Sequence, residues 1–220
     1  MKKLILYAML LSPCSLVAQI GIKAGVNFAN VTNASDINSG SQTGFHGGIF
    51  LAPPSKGLIS SRTELLFSRQ GYDYHTNTNT GNVNLDYIML PQFMAFNITK
   101  FVQLQVGFQM AYLVSAKADS TTSSGESGAY GDIMELYNRF DYGLGGGVEV
   151  HPISGLLVGA RFNVSFGDLY KDPSSYATGE VPSFIPKVDV KNNVFQLFVG
   201  WRFGKQPESS KKKQKENTQP

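Results

Sequence analysis

Residues 102–116, VQLQVGFQMAYLVSA, place an apolar side chain at every even position from Val102 to Ala116. The odd row holds Gln103, Gln105, Gly107, Gln109, Ala111, Leu113 and Ser115. A period of two with unlike rows predicts a β-strand with two different faces. The same template recurs about every twenty residues, predicting strands over 20–31, 44–52, 59–68, 85–96, 102–116, 138–150, 157–167 and 193–203. The stretch 85–96 is apolar on both rows, which leaves its facing open. No segment of the mature chain shows helical periodicity, so the chain reads as all-β.

The connections sort by parity. After the second, fourth and sixth strands come tight turns, PPSKG at 53–57, NITK at 97–100 and HPISG at 151–155. After the first, third, fifth and seventh come long polar segments rich in Ser, Thr, Asn and Gly. Short connections on one rim and long ones on the other are the layout of an eight-stranded antiparallel up-and-down barrel that crosses a membrane. A water-soluble sandwich has no reason to sort its loops this way.

The two rows then acquire solvents. Arg161 lies mid-strand, and an arginine facing lipid near the midplane costs roughly 2–4 kcal/mol, so its row faces inward. Lys23, Arg62, Glu64, Arg139, Asp141, Glu149 and Arg202 fall on the same row of their strands and join it as an expected interior charged cluster. Gly21, Gly25, Gly107, Gly143, Gly145, Gly147, Gly159 and Gly200 share that row, and a narrow lumen needs small residues beside long charged ones. On the apolar row, Tyr112, Phe140, Tyr142 and Phe166 collect near the long connections, with Trp201 and Phe203 near the other rim. These are expected to form two interfacial girdles.

Taken together, IGIKAGVNFANV, LDYIMLP, RFDYGLGGGVEV, GARFNVSFGDL and VFQLFVGWRF resemble the small outer-membrane β-barrel family of Gram-negative bacteria, labelled porin-family or PorT-like. The resemblance covers nearly the whole mature chain. It implies an eight-stranded outer-membrane barrel without enzymatic activity, with outer-membrane lipid and the barrel-insertion machinery as partners. An envelope or secretion-complex protein is a further expected partner, and an accessory role in secretion or envelope assembly is the alternative function. Such barrels usually stop at the last aromatic. Phe203 matches that position, but 17 residues follow it.

The termini complete the layout. MKKLILYAMLLSPCSLVAQ has a basic start, an apolar stretch and small residues before a cleavage point after Ala18, which predicts an export signal over 1–18. Residues 19–204 form the barrel and 205–220 a basic periplasmic tail with Lys211, Lys212, Lys213 and Lys215. The whole chain carries +3. The signal accounts for +2 and the tail for +3, which leaves residues 19–204 at −2. A slightly acidic domain disfavours nucleic acid as a partner.

Chemistry finds little footing. The single cysteine, Cys14, belongs to the signal, which removes disulfide and thiolate chemistry from the mature chain. The three histidines, His46, His75 and His151, have no metal-ligand spacing. His46 with a loop serine is the one arrangement that could support a lipid-modifying enzyme. GLGGGVEV lacks the lysine and the helix of a phosphate loop. No cofactor is expected. The interior charges read as a plug, since eight strands leave a lumen that side chains fill. A soluble barrel holding a small apolar ligand is the remaining alternative, with every strand facing the other way.

Overall fold

The computed structural model describes residues 19–32, 39–53, 57–75, 79–122, 127–171 and 190–204. The expected export signal and the basic tail lie outside the described residues. Among the described residues nine strands form one sheet: β1 (Gln19–Val31), β2 (Gly40–Ala52), β3 (Ile59–His75), β4 (Asn79–Asn97), β5 (Val102–Thr122), β6 (Ser127–Asp132), β7 (Phe140–Val150), β8 (Leu156–Ser165) and β9 (Asn192–Arg202). β1 pairs with both β2 and β9, and β4 pairs with β5. The order β1-β2-β3-β4-β5-β7-β8-β9 therefore closes on itself as eight antiparallel strands. The ninth strand, β6, pairs only with the far end of β5, opposite 117–121.

Closure satisfies every neighbour in the ring, which is what a β-structure needs where no water can serve its backbone. Two of the expected tight turns are seen whole. Thr99 accepts from the amides of Phe101 and Val102 through its hydroxyl. Gly155 takes φ +91 at the end of the 151–155 turn, a left-handed conformation that favours glycine.

The facing of each strand follows from burial. Val102, Leu104, Val106, Phe108, Met110, Tyr112 and Val114 point outward, while Gln103, Gln105 and Gln109 are buried inside. On β4, Ile88, Leu90 and Met94 point outward, and Tyr87, Met89, Phe93 and Ala95 are buried inside. That settles the strand whose two rows the sequence could not tell apart. Outward apolar side chains from all eight ring strands join into one continuous belt, with many between 40 % and 55 % exposed. A patch of that extent cannot stand in water; it belongs in lipid.

Beyond the belt the pattern inverts. Arg69 and Asp86 face outward and form a bidentate pair at 2.7 and 2.9 Å, and Lys117 and Asp119 are exposed on the same side of the wall. Inward there, Tyr72, Tyr74, Val83, Leu85, Ala116 and Ala118 pack into an apolar cluster with Leu113, Ile133, Tyr137, Leu169 and Val190. On β5 the change coincides with a bulge: Asp86 pairs with Ser115 and Tyr87 with Leu113, so Val114 is skipped. One extra residue flips all that follow it. Ala116, expected on the lipid row, is therefore buried inside.

The inversion also corrects the strand lengths. The expected long polar connection after 68 is mostly strand, since β3 runs to His75 and β4 begins at Asn79. β5 likewise continues to Thr122. Together with β6, these strands raise one side of the wall above the belt.

Val106→Arg, at the middle of the outward belt, is expected to cost roughly 2–4 kcal/mol, whereas Lys117→Ala beyond the belt should change stability by less than about 0.5 kcal/mol. Urea titration of the protein folded into lipid vesicles, read by the gel-mobility difference between unboiled and boiled samples, checks both values.

The polar interior as the candidate functional site

Inside the belt, alternation brings one charged or amide side chain from each of several strands into a lumen a few side chains wide. Glu64 on β3 is the meeting point. Its Oε2 accepts from Lys23 Nζ of β1 at 3.0 Å and from Arg161 Nη1 of β8 at 2.9 Å. Arg161 Nη2 donates to the other oxygen, also at 2.9 Å. The same nitrogen donates to Gln105 Oε1 of β5 at 2.8 Å, and Gln105 Nε2 passes the chain on to Glu149 Oε2 of β7 at 3.0 Å.

Glu149 in turn holds Arg62 of β3 through two hydrogen bonds, one of them at 2.7 Å to Oε1. His151, in the turn after β7, places Nε2 3.0 Å from the same oxygen. The side chains of Lys23, Glu64, Arg62, Glu149 and Arg161 are at most 2 % exposed. Charges this dry persist only where each is paired and further hydrogen-bonded, and the two bidentate guanidinium–carboxylate contacts are the strongest geometry for it.

Three aromatic rings complete the surroundings. Lys23 Nζ lies 3.8 Å from the centroid of Phe198, the Arg161 guanidinium 3.8 Å from Phe93, and that of Arg62 4.8 Å from Phe50. Cations over ring faces are stabilised by the ring quadrupole, more so without water. Glycines make room for the rings. A Cβ at Gly145 would come within 3.0 Å of Phe93, and one at Gly159 within 2.5 Å of Phe198.

Of the eight charged residues expected inside, five meet in this network: Lys23, Arg62, Glu64, Glu149 and Arg161. Asp141 is half-buried farther along β7, where it accepts from Ser165 Oγ at 2.6 Å. Arg202 stands at the short-turn end, beside Arg62. Arg139 is a correction. β7 begins at Phe140 and its last rung with β5 is Tyr112 opposite Phe140, so Arg139 precedes the wall and its side chain is exposed.

The six expected girdle aromatics, Tyr112, Phe140, Tyr142, Phe166, Trp201 and Phe203, all project outward, between 41 % and 55 % exposed. Sequence reasoning missed the inward rings Phe50, Phe93 and Phe198. For Phe50 and Phe198 the signal was present, since each falls on the inward parity of its strand, as Phe198 does between the outward Leu197 and Val199; Phe93 lies on the strand whose two rows are alike.

Among the described residues His46 meets no loop serine. It is 2 % exposed inside the lumen, with Nδ1 2.7 Å from Asn27 Oδ1 and its ring edge-on to Phe198. Asn27 is the hub of this second polar group. It donates to Ser68 Oγ at 3.0 Å and accepts from Gln196 Nε2 at 3.0 Å. His75 ends β3 and His151 belongs to the Glu149 network, so the three histidines serve different places. Among the described residues no group of three or more His, Cys, Asp or Glu is arranged to hold a metal ion.

The chain matches the family model of the outer membrane protein beta-barrel domain over residues 15–171. Among solved structures it is similar to Ail, the attachment invasion locus protein of Yersinia pestis, at 16 % identity and a TM-score of 0.48, covering 86 % of this chain and 100 % of that one. It is similar to Neisserial surface protein A at 15 % identity and 0.48, covering 84 % and 97 %. For the outer membrane protein OprG of Pseudomonas aeruginosa the values are 12 % and 0.41, covering 86 % and 97 %. No curated protein matches the chain.

Glu64→Gln removes the negative charge between Lys23 and Arg161 and is expected to cost about 3–5 kcal/mol, the usual consequence of breaking a buried pair. Adding Arg161→Gln should restore part of that loss, so the double variant is less destabilised than the sum of the two single ones. A double-mutant cycle from urea unfolding in lipid vesicles measures the coupling.

Proposed function

This chain belongs to the outer membrane protein beta-barrel domain family, and from that premise we propose that it is a closed, non-conducting barrel serving the cell envelope structurally and through contacts made outside the membrane. The observation that carries this reading is the filled interior. The Glu64–Glu149 network occupies the lumen inside the belt. Nearer the long connections, the apolar cluster around Tyr72, Tyr137 and Leu169 lies across the mouth.

That closure is built from the connections themselves. Leu169 N donates to Val190 O at 3.0 Å, and Tyr137 forms an isolated bridge with Tyr170. The Tyr72 hydroxyl meets those of Tyr137, at 3.0 Å, and Tyr170. Eight strands enclose a lumen that side chains can fill, and solute passage needs more.

Short turns belong on the periplasmic side and long connections outside. This orientation puts the start of β1 and the end of β9 in the periplasm, and raises the β3–β6 wall beyond the outer surface. Its last strand, β6, has a single neighbour among the described residues, which leaves backbone donors and acceptors to offer an envelope or external protein.

Purified protein in a planar lipid bilayer is expected to give no stepwise conductance, and protease added to intact cells should cut connections on the β3–β6 side while sparing an epitope fused after 220. Regular single-channel steps would overturn the closed barrel. Loss of the epitope from intact cells would overturn the orientation.

A further inference from the structure

At the short-turn end the interior network stops unevenly. A cavity of about 40 Å³ opens there, lined by Arg62, Arg202, Ser60, Asn97 and Gln103 among others. One water needs roughly 10–15 Å³ by this measure, so the space admits a few waters or one small anion. Arg62 sends both terminal nitrogens to Glu149, but its Nε is buried without a partner. Arg202 Nε is also buried without one, and among the described residues its guanidinium has no carboxylate within ion-pair distance.

The charges around the cavity do not balance. The interior network and the cavity beside it hold Lys23, Arg62, Arg161 and Arg202 against Glu64 and Glu149, four cations to two carboxylates. His151 adds no anion, and Asp141 lies away from them, bonded to Ser165. Were Lys23 neutral, one positive charge would still be left over. A partly buried guanidinium without a counter-charge is costly; Arg202 is one, and it shares a small polar cavity with Arg62, whose terminal nitrogens are already taken by Glu149.

We propose that this mouth binds a single small carboxylate-type anion between Arg202 and Arg62. Arg202 supplies the free planar fork that matches a carboxylate, and the amides of Asn97 and Gln103, already joined at 2.6 Å, line the same cavity. The carboxylate can come from a free ion or from Glu208 or Glu216 of this chain's own tail.

The test follows thermal unfolding of the full chain in detergent, with formate exchanged for methanesulfonate, a larger monovalent anion without a carboxylate, at fixed ionic strength. Trp201, the only tryptophan, reports from the same end. If the site takes free ions, the midpoint rises saturably, by about 3–6 °C at tenfold the half-saturating formate concentration. Arg202→Gln abolishes the dependence, and Arg202→Lys, which keeps the charge but not the fork, weakens it.

If the tail fills the site, the wild type is indifferent to formate and a Glu208→Gln/Glu216→Gln variant gains the saturable response. A response that survives Arg202→Gln, or none in either the wild type or the tail variant, overturns the proposal.

Discussion

Glu64 receives an ammonium from β1 and a guanidinium from β8 on its two oxygens, so one carboxylate ties together three strands that are not neighbours in the ring. Backbone ladders fix each strand only to those beside it; this contact fixes the barrel across its width. It also sets register. A slip of one residue on β3 would turn Arg62 and Glu64 toward lipid while leaving Lys23 and Arg161 inside without a counter-charge. The other interior features follow from the same need. Gln105 carries the network to Glu149, the rings of Phe50, Phe93 and Phe198 cover the cations, and glycines on adjacent or nearby strands give those rings space.

The boundary of the lipid is written in the strands as a change of sign. From Ile59 to Phe67 the outward row of β3 is largely apolar, and from Arg69 it is polar. The inward row changes the other way, from Arg62 and Glu64 to Tyr72 and Tyr74. Water outside and a roof over the lumen inside exchange the roles of the two faces within one strand. β5 achieves the exchange with the bulge at Val114, so that Ala116 and Ala118 turn inward and Lys117 and Asp119 meet water. The Arg69–Asp86 pair stands at this transition, with the Arg69 guanidinium 5.4 Å from the ring of Phe45 at the edge of the belt.

This change of sign explains what could be read from the sequence and what could not. Where one solvent lies outside, a period of two carries the answer, and all eight ring strands were legible with ends within about two residues on β1, β7, β8 and β9. The residues at 69–75, 80–84 and 117–119 keep the period but invert its meaning, so a search for outward apolar rows passes over them as loop. Arg139 was misplaced for a related reason, since periodicity cannot say at which residue a strand leaves the wall. The charged cluster itself was legible because cost alone sends Arg161 inward. Its pairing was not: that Glu64 meets Lys23 and Arg161, while Glu149 meets Arg62, depends on the stagger between strands, which no single strand encodes.

A wall whose inner positions are already committed has little freedom left for function inside it. Inward residues of the belt region such as Glu64, Arg161 and Phe93 pack against side chains of other strands, and a substitution there must be answered by another, as the crowding at Gly145 and Gly159 makes plain. Outward positions in the belt answer only to lipid, which asks for apolarity and not for shape. What remains free is the two ends. At one, the strands continue as a raised sheet that turns Arg69, Asp86, Lys117 and Asp119 outward and whose last member, among the described residues, pairs on one side. At the other, the interior stops with an unpaired guanidinium at an open mouth. The stability of the middle and the availability of the ends are therefore linked through the narrow ring that eight strands enclose.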